Sequence, residues 1–238
     1  METLPSGEMC EGFGMSADKS RKSMALFQES DGDPRERFAD ALCAYGAAGD
    51  AACGNAPGFA ARKAAAAVAF AEFAELPQDT VDALYFAGIL HAVGGIGAVP
   101  ASPAERWESP PRGVRICAQI PGLPSETADL VRWQLESWDG TGYPDQLRWD
   151  SIPLAAQLLL LAETVLRAQD AEEALERVNA ESGRSIAPAA ARLYADWLRD
   201  GGTIRDATPP VRALDASALA NAIKDDHPML LAIAQAIR

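Results

Sequence analysis

The stretch Gln134-Leu135-Glu136-Ser137-Trp138-Asp139-Gly140-Thr141-Gly142-Tyr143-Pro144 constrains this chain more than any other, because it dictates where a helix must stop. Asp139-Gly140 is a turn dipeptide, Gly142 permits positive φ, and Pro144 pushes Tyr143 out of the helical region. Upstream, Thr127, Leu130, Val131, Gln134 and Trp138 recur at helical spacing. The stretch therefore reads as a helix that Pro124 opens and that breaks into a rigid, glycine-punctuated loop.

The same period runs through most of the chain. Phe38, Leu42 and Tyr45 follow Pro34 at spacings of four and three, and Gly46 to Gly58 reads as a loop. An Ala-rich helix is predicted over Phe59–Leu76. Another opens at Pro77, carries Asp79 and Asp82 early against its dipole, and runs through His91 to Gly94-Gly95. Residues 97–111 read as loop, and helices follow near Arg112–Ile120, Ile152–Ala168, Ala171–Ala180 and Pro188–Arg199. A C-terminal pair is expected at Ala216–Ile223 and Pro228–Ile237. No strand-like alternation of useful length occurs, so the fold class is all-α. The domain reading is a loosely attached lead-in over residues 1–33, a helical domain over 34–202 and a helical extension over 203–238.

Composition narrows the function classes. With 21 basic against 34 acidic residues the net charge is −13, which disfavours a nucleic-acid partner. The longest apolar run, Leu154 to Ala168, is interrupted by Gln157 and Glu163 and is too short to span a bilayer, so no membrane role is expected. Cys10, Cys43, Cys53 and Cys117 lack metal-site or redox spacing, and no leader segment is evident. A reduced, cytoplasmic protein is the reading.

The loop Asp139-Gly140-Thr141-Gly142-Tyr143-Pro144 resembles the signature of the HD-GYP family, helical metal-dependent phosphodiesterases that hydrolyse cyclic di-GMP. The resemblance spans Phe38 to Asp200 and implies an HD-superfamily helical bundle. Leu90-His91-Ala92-Val93-Gly94-Gly95, followed by Pro100, stands where the family has Leu-His-Asp-Ile-Gly-Lys and a later Pro. His91 is kept, but the bridging Asp is Ala92. Gln134 and Leu135 replace the two histidines of a His-His-Glu block whose Glu is retained as Glu136. Phe59 and Ser109 stand at two further histidine positions, and Glu163 replaces a later Asp. An Arg-Pro-Tyr-Arg segment is missing after Arg167, while Gly183-Arg184-Ser185-Ile186-Ala187-Pro188 resembles the block Gly-Thr-x-Phe-Asp-Pro.

A two-metal centre needs imidazoles and carboxylates at fixed positions to hold cations about 4 Å apart. Of the ligands the resemblance implies, only His91 and the substituted Glu163 remain, with Gln134 a neutral donor. No cofactor is expected, and one weakly bound divalent ion at His91 and Glu163 is the most these donors allow. The expectation is a relic polar pocket of His91, Gln134, Glu136 and Glu163. Glu163 should be partnered there by His91 or Gln134, since an unpaired carboxylate on an apolar helix face is costly. Trp133, Trp138 and Trp149 read as packing anchors. The resulting function is that of a catalytically degenerate HD-GYP-like protein, a regulatory or protein-interaction module. The resemblance points to a diguanylate-cyclase-type partner. A divergent cyclic di-GMP phosphodiesterase and a non-cleaving nucleotide sensor are the alternatives, the latter disfavoured by the missing arginine segment.

Overall fold

A computed structural model describes residues 34–96 and 109–204, with side chains from residue 41 onward in the first helix. Among the described residues there are eight α-helices and no strands. They are α1 (Pro34–Cys53), α2 (Phe59–Phe73), α3 (Gln78–Ile89), α4 (Ser109–Cys117), α5 (Thr127–Trp133), α6 (Leu154–Leu166), α7 (Ala171–Glu181) and α8 (Pro188–Arg199). Short 3₁₀ turns occupy Val93–Gly95 and Trp149–Ser151. The expected lead-in and the C-terminal pair of helices lie outside the described residues.

The core is centred on α2, α3 and α6, which pack on one another, with α1, α5 and α8 laid around them. Alanine makes this possible. Ala64, Ala66, Ala67 and Ala71 of α2 are wholly buried, so neighbouring backbones approach closely without large side chains between them. The larger contacts sit at the ends. Phe70 meets Tyr194 and Trp197 of α8 edge-on, with ring centroids 5.8 and 5.2 Å apart, and this ties the last helix to the first core helix.

Two boundaries differ from the sequence reading in ways that matter for the site. Residues 46–53, expected as loop, continue α1 and bring Asp50 into the interior, where it is buried. Helix α5 ends at Trp133 rather than Trp138, which sets Gln134 on its C-terminal cap. From there an antiparallel bridge pairs Leu135 with Tyr143, closing the Asp139–Tyr143 loop on itself.

Candidate functional site

Five segments meet below the C-terminal end of α3: the end of α1, α2, the residues after α3, the cap of α5 and the last half of α6. Lys63 of α2 lies among them with no exposed surface. Its ammonium donates to Gln134 Oε1 at 2.9 Å and to Glu163 Oε2 at 2.8 Å. The Gln134 amide then donates to the backbone oxygens of His91 at 2.8 Å and Val131 at 3.1 Å. Glu163 Oε1 accepts from Arg167 one turn on, at 2.8 Å from Nη2. Glu163 therefore does not pair with His91 or Gln134 directly. A lysine that the sequence reading passed over bridges Glu163 to Gln134.

The His91 ring faces elsewhere. Nδ1 lies 3.0 Å from the Gly88 carbonyl, an oxygen that can only accept, so the ring proton belongs on Nδ1. The Nε2 lone pair meets the Asn55 amide at 3.4 Å, with Asp50 Oδ1 beyond it at 3.8 Å. Asp50 is itself engaged, accepting from the Ala60 N–H at 2.8 Å at the start of α2 and from Asn55 at 3.3 Å. Phe59 stands with its ring centroid 5.7 Å from the imidazole, and the Arg167 guanidinium covers that phenyl face at 5.1 Å.

Electrostatics follow from this packing. Burial, reinforced by the Lys63 ammonium, lowers the His91 pKa to about 3, so the ring is neutral at neutral pH. The same ammonium holds Glu163 ionised, lowering its pKa to about 2 against the opposing effect of burial, with the Arg167 hydrogen bonds assisting. A general base works best with a pKa near the operating pH, and these two groups lie far below it.

The retained Glu136 belongs to a different construction. It is fully buried, and its carboxylate accepts from the Asp145 and Leu147 N–H groups at 2.6 and 3.0 Å, so it holds the far side of the loop. Within the loop, Asp139 Oδ1 accepts from the Thr141 N–H and hydroxyl at 2.9 and 2.6 Å. Gly140, not Gly142, takes the left-handed backbone with φ 79°. Gly142 is buried instead against the backbone of Glu136 and Ser137, where a side chain has no room. Tyr143 is half-buried and joined to Pro144 by a cis peptide. Backbone bonds from Trp138 N–H to Ser185 and from Asp139 N–H to Arg184, at 3.0 and 2.8 Å, seat the loop on the turn before α8. Buried Gln157 locks the same joint, donating to the Glu136 carbonyl at 3.2 Å and accepting from the Ala187 N–H at 2.7 Å. Trp133 and Trp138 pack against the core, whereas Trp149 is 60% exposed and is no packing anchor.

An all-helical bundle with a buried histidine just past the end of one core helix, and a glutamate on another held by a buried lysine, frames the class. The chain belongs to the HD domain family, whose profile matches residues 53–181. Its fold is similar to that of a cyclic GMP-AMP-specific phosphodiesterase of V. cholerae, with a TM-score of 0.62 at 17% identity over 82% of this chain. The match covers 60% of that protein's chain. No curated protein sequence matches this one.

HD domains usually bind divalent metals, and the donors here do not fit that chemistry. Among the described residues no group of three His, Cys, Asp or Glu side chains could hold an ion. The imidazole lone pair is turned to an amide, each Glu163 oxygen is paired with a cation, and Ala92 has no ligating side chain. Among the same residues no helix is long and apolar enough to cross a membrane.

Proposed function

We propose that this chain is a non-hydrolytic member of the HD domain family, acting as a regulatory or protein-interaction module in cyclic-dinucleotide signalling. The observation that carries the reading is the Lys63 ammonium held at 2.9 Å from Gln134 and 2.8 Å from Glu163. By the resemblance, those two residues stand at metal-ligand positions. A tethered cation satisfies them without creating an activated water, since an ammonium has no open coordination position at which hydroxide could form. The assignment to cyclic-dinucleotide signalling rests on the HD-GYP-like loop and on the fold shared with a cyclic GMP-AMP phosphodiesterase.

The loop supplies the contact surface in this reading. Arg132 and Trp133 clamp Asp145 through three hydrogen bonds of 2.6, 2.6 and 2.8 Å, and beyond that clamp the chain presents Trp149 to solvent. Exposed tryptophan on a rigid support is a frequent binding anchor. The partner would be a signalling domain of the diguanylate-cyclase type, and the chain's place would be cytoplasmic. The test incubates the full chain with cyclic GMP-AMP or cyclic di-GMP and Mn²⁺ or Fe²⁺, with product separation by chromatography. No linear dinucleotide is expected, and metal-dependent turnover would overturn the proposal. Calorimetry with the same dinucleotides separates a scaffold, which gives no heat, from a non-cleaving sensor.

A further inference from the structure

Where α2, α6 and α8 border one another, a cavity of about 300 Å³ opens among Arg62, Leu166, Tyr194, Trp197, Leu198 and Ile204. It is mostly apolar, and the Tyr194 and Trp197 rings in its wall each meet Phe70 edge-on. Arg62 and Asp170, both exposed, set one charge of each sign on its rim.

The chain is steered into this cavity by its own helix end. Helix α8 closes with the two bonds of a Schellman turn, Gly202 N–H to the Trp197 carbonyl at 2.9 Å and Gly201 N–H to Leu198 at 3.1 Å. Gly201 takes the left-handed backbone this turn demands, with φ 87°. The reversal lays Gly202 on the Trp197 ring and puts Thr203 and Ile204 in the cavity wall. The sequence then continues for residues 205–238. Its first apolar stretch, Val211, Leu214, Ala218, Leu219, Ala222 and Ile223, recurs at spacings of three and four after the Pro209-Pro210 break.

We infer that the cavity is an intramolecular docking site whose occupant is the segment Val211–Ile223 of the same chain. Three observations carry this: the chain leaves directly from the cavity wall, six residues from Arg205 to Pro210 can span up to about 20 Å and so allow a return, and an apolar stripe matches a mostly apolar cavity. A docked segment would brace α2 and α6 from outside. The inference does not depend on whether the family site is catalytic.

The test is tryptic cleavage of the full chain under native conditions, read at Arg212 and Lys224. Two variants are compared with the wild type. Ala171→Trp plugs the cavity from an exposed rim position, and Leu219→Asp interrupts the apolar stripe of the occupant. Because cleavage follows the population of the open form, both variants should be cut at least about ten-fold faster than wild type. Equal rates in all three proteins would overturn the inference. So would protection that fades on dilution, which would assign the cavity to a second copy of the chain.

Discussion

Lys63 and Glu163 form an ion pair of 2.8 Å in which the lysine has no exposed surface and the glutamate side chain keeps 21% of its own. The asymmetry decides how each partner can fail. Glu163 has Arg167 and solvent to fall back on, whereas Lys63 has the neutral Gln134 alone.

Glu163→Gln should therefore cost more than Lys63→Met. The first leaves an enclosed ammonium without a counter-charge, a loss on the order of 3–5 kcal/mol, or roughly 10 °C in melting temperature for a domain of this size. The second leaves Glu163 with its arginine and costs about 1–3 kcal/mol. Thermal denaturation of both variants checks the order. Equal losses, or a greater loss in Lys63→Met, would refute the predicted order.

Stability should fall with acid in two overlapping stages. His91, with a pKa lowered to about 3, binds its proton more readily unfolded, so its contribution is complete above pH 6.5 and drains away as the pH falls from there toward 3. Glu163, lowered to about 2 from 4.5, contributes fully above pH 4.5 and is lost between there and 2. Both act in the same direction. Urea unfolding at pH 7 and pH 4.5 should differ by about 2.5 kcal/mol from His91, and His91→Gln should remove that part of the difference.

The sequence reading reached the helical class and the helix Pro188–Arg199 because proline and glycine punctuate those elements directly. It failed at Gly46–Cys53, where two glycines looked like loop signals. They are helix residues that let α1 cross closely, since a Cβ on Gly49 would lie 2.8 Å from the Ala92 carbonyl carbon. Tertiary contact overrode local propensity there, and with it went Asp50 and Asn55. Lys63 was legible in principle. It shares a stripe with Phe59, Ala66, Ala67 and Phe70, so a cation was due on a buried face. What the sequence could not supply was its partners, which come from helices 71 and 100 residues away.

Glu136→Gln should loosen the loop while leaving the Lys63 bridge in place. The substitution replaces one carboxylate oxygen with an N–H donor facing the Asp145 or Leu147 N–H, leaving one donor pair opposed. A loss of about 1–3 kcal/mol is expected, with faster hydrogen exchange at Asp145 and Leu147 and unchanged exchange along α2. Exchange that rises equally in α2 would show the loop and the pocket to be one cooperative unit.

Trp149 tests what the loop is for. It combines 60% exposure with a left-handed backbone, φ 51°, and Gln146 three residues earlier is left-handed too, with φ 53°. A bulky residue in that conformation costs roughly 1–2 kcal/mol, and an exposed ring returns little of it to the fold. Trp149→Ala should thus change stability by less than about 0.5 kcal/mol. Trp149→Gly, which relieves the backbone, should melt at the same temperature or slightly higher. If the ring is the anchor of a protein contact, both variants should lose capture of a diguanylate-cyclase-type domain that the wild type retains. Denaturation and capture measured side by side give the answer. A large stability loss in Trp149→Gly would make the ring structural, and wild-type capture by both variants would remove it from the contact surface.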